Sequence, residues 1–214
     1  MMQILLFAVG SSLAVDYEET CVRGGIEIIA AVKNRPGNCY LLTCRRVVAP
    51  EEVTRDLADV PFIAPLFTPG NRWIAVREAV ALGLSPAPAL VDRTAILASS
   101  VTLGAGTYVN ASATIGACGR IGAQAVVNRS ASVGHHSAIE DFVSIGPGAI
   151  LAGEVKVGRG SLIGAGSVVM PKTQIGAGSV VAAGSVVSKD VEDRVVVAGN
   201  PARVVKRDLM DALI

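Results

Sequence analysis

The sequence predicts a small α/β unit followed by a parallel β-helix, and three observations predict it. A six-residue beat of aliphatic side chains runs through the C-terminal half, and the first ninety residues alternate apolar runs with amphipathic stretches. The composition is 51% hydrophobic but only 4% aromatic, with 23 Gly among 214 residues. Interiors poor in rings and rich in Val, Ile, Ala and Ser are filled by many short, regular layers.

The N-terminal part comes first. Residues 4–9, 26–32, 40–43 and 61–67 read as strands, and 51–57 and 73–82 have helical spacing. Such alternation argues a Rossmann-like α/β unit with a parallel sheet. Gly10, Ser11 and Ser12 fall where a nucleotide-binding turn would lie, because backbone N–H groups at a helix start can meet phosphate. The full glycine fingerprint is absent, and a plain strand-to-helix turn is the competing reading. Pro86-Ala87-Pro88 marks the boundary, giving a substrate-binding unit over 1–90, a β-helix over 91–195 and a tail with a short helix over 196–214.

The apolar start lacks the basic residues of a secretory leader, and no segment approaches the roughly 20 apolar residues of a membrane span. Cys21, Cys39, Cys44 and Cys118 form no CxxC pair; the expectation is free thiols in a cytoplasmic protein, with neither a disulfide framework nor a thiolate metal site. With 19 basic and 18 acidic residues and no basic run, the chain lacks the footprint of a nucleic-acid binder.

The repeat decides the fold of the second half. Stepping by six from Leu97 through Ile115, Val133, Leu151 and Val169 to Val187 meets sixteen aliphatic residues without a miss. Two places earlier stands a small residue in most units, as at Ala113, Ala131, Ser167 and Ser185, and Gly often follows the aliphatic one, as at Gly116, Gly134 and Gly164. Each unit thus offers an inward knob, an inward filler and a residue that we expect to take a sharp bend. Antiparallel hairpins would break the phase with loops of varying length. An unbroken register over about ninety residues is what stacked solenoid coils require.

This pattern resembles the hexapeptide-repeat acyltransferases, and the resemblance implies three sides, a left hand and eighteen residues per coil. The two-part layout is similar to the sugar-nucleotide acetyltransferase branch related to sialic acid O-acetyltransferases and bacterial amino-sugar N-acetyltransferases. Most telling is Asn128-Arg129-Ser130-Ala131-Ser132-Val133-Gly134-His135, followed by Ala138-Ile139-Glu140-Asp141-Phe142. By this match His135 is the general base and Asn128 belongs to the catalytic group. Ser144 would contact acetyl-CoA, the Gly153 N–H would face the thioester carbonyl, and Ala165 and Ala183 would line the CoA channel. Gly153 lies eighteen residues after His135, hence beside it on the next coil, and a groove is expected along one column of coils. The family's acidic residue after the base is replaced by His136. Glu154, eighteen residues beyond His136, is expected to act as its charged partner.

Where the family's nucleotide turn has His, this chain has Leu13 and Ala14; where it has an acid, this chain has Lys33 and Asn34. Gly199-Asn200-Pro201-Ala202 is similar to the family's closing motif. The Arg203, Lys206 and Arg207 that follow either meet CoA phosphates or form a solvated helix face. A zinc centre needs three separated His, and this chain has two adjacent ones, so no metal is expected. The resemblance implies a homotrimer that transfers acetyl from acetyl-CoA, as co-substrate, to an amine or hydroxyl of a sugar nucleotide or related sugar. A small non-sugar acceptor, or a trimer that only scaffolds partners, is the alternative.

Overall fold

The computed structural model describes residues 2–44 and 46–208. Four parallel strands open the chain: β1 (Gln3–Phe7), β2 (Glu27–Val32), β3 (Val47–Val48) and β4 (Phe62–Ile63). They lie in the order β3-β2-β1-β4. Helix α1 (Ala14–Gly24) carries the chain from β1 to β2, α2 (Arg55–Ala58) precedes β4, and α3 (Pro69–Ala81) follows it. The apolar start of the sequence is thus the central strand. Ile4 and Leu6 point into a cluster with Tyr17 and Cys21 of α1, while Leu5 and Phe7 face Ala75 and Ala79 of α3. Alternate residues of one strand bury both faces, which is why it reads as an unbroken apolar run.

Residues 40–43 do not form the expected strand. Their backbone is spent elsewhere: the Glu18 carboxylate accepts the N–H groups of Leu42, Thr43 and Cys44 at 2.6, 2.7 and 2.9 Å. The edge strand falls four residues later, at Val47–Val48. Burial alone would push the Glu18 carboxyl up, but these donors and the Thr43 hydroxyl outweigh it and hold it below the ordinary carboxylate value.

From Leu90 the chain winds into a three-faced prism of two-residue parallel strands. Face one begins with Leu90–Val91 and Tyr108–Val109, face two with Ile96–Leu97 and Thr114–Ile115, face three with Thr102–Leu103 and Arg120–Ile121. Pairing runs eighteen residues apart, as in Val126↔Ser144, Ser132↔Ile150 and Ala138↔Lys156. The aliphatic beat points inward, and from Ile115 to Val187 none of its members exceeds 3% exposure.

The glycines have a different job from the one expected. The bends sit two residues later, at positive φ and largely on other side chains, among them Ser130, His136, Phe142 and Glu154. What Gly116 and Gly164 supply is clearance: a Cβ there would lie 2.7 and 2.4 Å from backbone of the next coil. The last coil shortens, with Ile175↔Val191 and Val180↔Val196 sixteen residues apart. A hairpin of Val196–Gly199 and Ala202–Lys206 then closes face one antiparallel. Arg203 and Lys206 therefore stand on a strand where a helix was expected, because the chain reverses at Asn200-Pro201 and pairs back. Residues 209–214 of the expected tail lie outside the described residues.

Buried polar groups fasten the two units together. Arg72 of α3 is 1% exposed and donates to the carbonyls of Leu66, Phe67, Gln124, Phe142 and Val143 and to the Ser144 hydroxyl. Among the described residues it meets no carboxylate, and burial brings its guanidinium down to about 10. Asp92 of the prism accepts Thr20 and Arg23 of α1 at 2.8 and 2.9 Å. The Tyr17 and Tyr108 rings stack at 3.7 Å between centroids. No helix among the described residues is long and apolar enough to cross a membrane.

Candidate active site

His135 sits on the corner between faces two and three, directly after Ser132–Val133. Its imidazole lies over Gly153 on the next coil: a Cβ added to Gly153 would be 2.6 Å from His135 Nε2. Backbone bonds on both sides fix the corner, His136 N–H to Ala117 O at 2.8 Å and Glu154 N–H to His135 O at 2.8 Å. The grouping expected from the eighteen-residue spacing is therefore present. His136, at φ +56°, turns its ring back to its neighbour, with the two Nδ1 atoms 3.1 Å apart.

Glu154 is not delivered to His136. It stands in the same column, yet its carboxylate leans to Lys172, one coil further on, at 4.0 Å. The ammonium of Lys172 supplies the opposite charge that attracts it. Ser144 is displaced from its expected role as well. It is 0% exposed, donates to Phe67 O and accepts from Arg72, so it holds the two units together instead of facing a cofactor.

Asn128 and the alanine pair sit at another corner of the prism. Asn128 lies between faces one and two, 6% exposed, and accepts Asn110 Nδ2 at 2.9 Å, eighteen residues earlier. Asn110 Nδ2 also reaches Asp16 of α1 at 2.9 Å, and Arg129 meets the same carboxylate at 2.8 Å. Ala165 and Ala183 share this second corner in a column with Arg129 and Pro147, marked by Gly166 N–H to Pro147 O and Gly184 N–H to Ala165 O at 2.9 Å each. One column therefore does not carry the whole expected groove. His135 and Gly153 occupy one end of face two, and Asn128, Ala165 and Ala183 the other.

Between these corners, face two presents Ile96, Ile150, Val168 and Val186 outward, with Ile96 69% and Ile150 48% exposed. The third corner differs in kind. There the amides of Ala123, Arg159 and Ala177 are taken by Asp141, Glu140 and Asp193. Among the described residues the N–H groups of Gly153, Ala165 and Ala183 have no such acceptor.

A separate cavity of about 420 Å³ opens in the α/β unit, lined by Gly10, Ser11, Asn34, Arg35, Phe67 and Asn71 among others. These residues follow the C-terminal ends of β1, β2 and β4, where the order β3-β2-β1-β4 reverses direction, the usual ligand position in an open parallel sheet. Ser12 does not line it. Glu78 of α3 holds Asn34 Nδ2 at 2.7 Å and pairs with Arg35. Among the described residues no group of three His, Cys, Asp or Glu is placed to hold a metal ion.

Asp16, Asn110 and Asp92 were not foreseen from sequence. The eighteen-residue spacing could have found part of the set, since Asp92, Asn110 and Asn128 stand in one column.

A model of the bacterial transferase hexapeptide (six repeats) matches residues 136–170 and 154–189. Together with the whole-chain likenesses below, the repeat and the stacked sheets define the class: the chain carries hexapeptide repeats and is an acetyl-CoA-dependent acyltransferase. In particular it is similar to a mutant perosamine N-acetyltransferase from Caulobacter crescentus, solved with CoA and GDP-perosamine. That likeness has 26% identity over 97% of this chain and 98% of that one, with a TM-score of 0.84. The acetyltransferase domain of PglB from Neisseria gonorrhoeae, in complex with acetyl coenzyme A, is also 26% identical, over 95% and 98%, with a TM-score of 0.83. WeeI from Acinetobacter baumannii, at 20% identity over 96% and 100% and a TM-score of 0.78, shares the fold. No curated protein matches by sequence.

Proposed function

We propose that the chain transfers the acetyl group of acetyl-CoA to an amine or hydroxyl of a sugar nucleotide or related sugar, directly and with His135 as general base. One observation carries the reading: the His135 imidazole lies against Gly153, whose N–H has no acceptor among the described residues, in a chain that matches CoA-bound acetyltransferases over nearly its whole length. His135 Nε2 takes the proton from the acceptor as its nitrogen or oxygen attacks the thioester carbonyl. The Gly153 N–H stabilises the oxyanion, and the tetrahedral intermediate collapses by breaking the C–S bond. The imidazolium then returns the proton to the CoA thiolate. A positioned base is worth about 10²–10⁴ in rate and one oxyanion donor about 10²–10³.

The acceptor's nucleotide fits the cavity beside Gly10 and Ser11. This is the ligand position of a Rossmann-like unit. The perosamine N-acetyltransferase match favours an amine over a hydroxyl. A left-handed coil and a homotrimer complete the picture. The two site corners lie at opposite ends of an apolar face two, so a neighbouring chain's corner would bring the Ala165–Ala183 amides to His135. Four free thiols fit a cytoplasmic setting.

Calorimetric titration with CoA, followed by a screen of sugar nucleotides for thiol release from acetyl-CoA, tests the reading. Binding of CoA, release with an amino-sugar nucleotide, and a loss of at least about a hundredfold in His135→Ala are expected. A chain that ignores CoA, or full activity in that variant, overturns it.

A further inference from the structure

We propose that His136 is a positioning residue that fixes the tautomer of His135 through a histidine–histidine hydrogen bond; this rests on the reading of His135 as the base. The two Nδ1 atoms are 3.1 Å apart, and the rings stand at 84° with centroids 5.3 Å apart. Between neutral imidazoles such a contact holds one proton. Two N–H groups would collide, and two lone pairs would repel.

Of the two arrangements, only one serves the reaction. With the proton on His135 Nδ1, its Nε2 keeps a lone pair at the atom nearest Gly153. With the proton on His136 Nδ1, His135 carries hydrogen on Nε2 and cannot accept another. Once His135 takes the acceptor's proton it has N–H at both positions, and His136 must then be the acceptor. The hydrogen bond becomes charge-assisted without any further proton movement.

The backbone is built to hold this contact. His136 is at φ +56°, a left-handed conformation that His adopts more readily than most residues. The peptide joining His135 to His136 is pinned from both adjoining coils, its N–H donating to the Ala117 carbonyl and its carbonyl accepting the Glu154 N–H. The ionisable groups stacked in the His136 column are Cys118, Glu154 and Lys172. Cys118 N–H is capped by Ser100, and Glu154 and Lys172 face each other. Among the described residues no carboxylate therefore competes for the His135 Nδ1–H, and the His136 ring orients the base.

The chain has two histidines, so long-range ¹H–¹⁵N spectra at a pH where both rings are neutral resolve each tautomer, with His135→Ala and His136→Gly giving the assignments. Glycine suits the deletion because it adopts φ +56° without strain. The expected wild-type spectrum has His135 protonated on Nδ1 and His136 on Nε2. In His136→Gly the His135 signals should move to a tautomer mixture, and kcat should fall about 10- to 100-fold with the KM for acetyl-CoA changed less than about twofold. His136→Glu, whose carboxylate can accept the same hydrogen, should recover most of that loss.

A wild-type His135 protonated on Nε2, or a tautomer unchanged in His136→Gly, overturns the proposal whatever the rates. Full activity in His135→Ala would instead remove the base reading, and the spectra would still decide the hydrogen bond.

Discussion

The prism and the α/β unit reach dry interiors by opposite routes. In the prism each rung but the last repeats the contacts of the rung before it, eighteen residues away, and one aliphatic residue in six does most of the filling. In the α/β unit, and where it meets the prism, single groups do what repetition does elsewhere: Glu18 ties down one loop, Asp92 one helix, and Arg72 a loop and two coils. Repetition spreads a loss over many equivalent layers. A one-off contact concentrates it in a few atoms, so the two regions should answer mutation differently.

The sharpest contrast should come from Arg72→Ala. It removes a buried guanidinium and strands carbonyls of Leu66, Gln124 and Phe142, for an expected loss of about 3–5 kcal/mol in thermal or denaturant unfolding. Arg72→Lys should recover little, because a single ammonium cannot span acceptors on both units. A loss below about 1 kcal/mol would mean that the units do not depend on this contact.

Next is Gly153→Ala. Its Cβ would meet the His135 ring at 2.6 Å, so the ring must move. Thiol release from acetyl-CoA should drop about 10- to 100-fold while the melting temperature stays within a few degrees. A large stability loss with normal kcat would reverse the assignment of that corner to chemistry. Glu18→Gln removes the charge from a carboxylate that accepts three backbone N–H groups, and about 1–3 kcal/mol is expected, confined by hydrogen exchange to the α/β unit.

The smallest effect concerns pH. Burial pushes the Cys21 thiol from 9.0 up to about 12, so the unfolded chain releases this proton first. Stability is complete below pH 9 and is lost as pH rises from 9 toward 12. Buried Tyr17 and Tyr108, also raised, add to the loss from about pH 10, while Arg72, lowered to about 10, opposes it there. From pH 9 to 10 Cys21 accounts for about 1 kcal/mol, and the Cys44 thiol, also raised by burial, adds to the same interval. Cys21→Val should make the profile shallower there, and an unchanged profile would contradict the burial of that thiol.

The same contrast explains what could be read from the sequence. The prism was legible because the beat and the strands obey one rule, and that rule also placed Gly153 beside His135. The role of Gly116 and Gly164 was misread, since a period shows where small residues recur but not whether they bend the chain or make room for the next coil. Residues 40–43 have strand-like composition, but nothing local reveals that Glu18 claims their amides. Ser144 fits the family pattern by position, yet the Phe67 carbonyl that covers it comes from 77 residues away. Gly70-Asn71-Arg72 resembles a loop of the family, just before the stretch with helical spacing, and nothing local reveals that Arg72 reaches the carbonyls of Gln124 and Phe142.

The hairpin after Val196 bears on how far the prism could extend. A final rung of parallel strands would offer a row of free amides and carbonyls matching those on the rungs above, a ready template for another chain. The shortened coil and the antiparallel strand Ala202–Lys206 break that match on face one. With Arg203 and Lys206 along its length, the terminal strand discourages end-to-end growth into fibres.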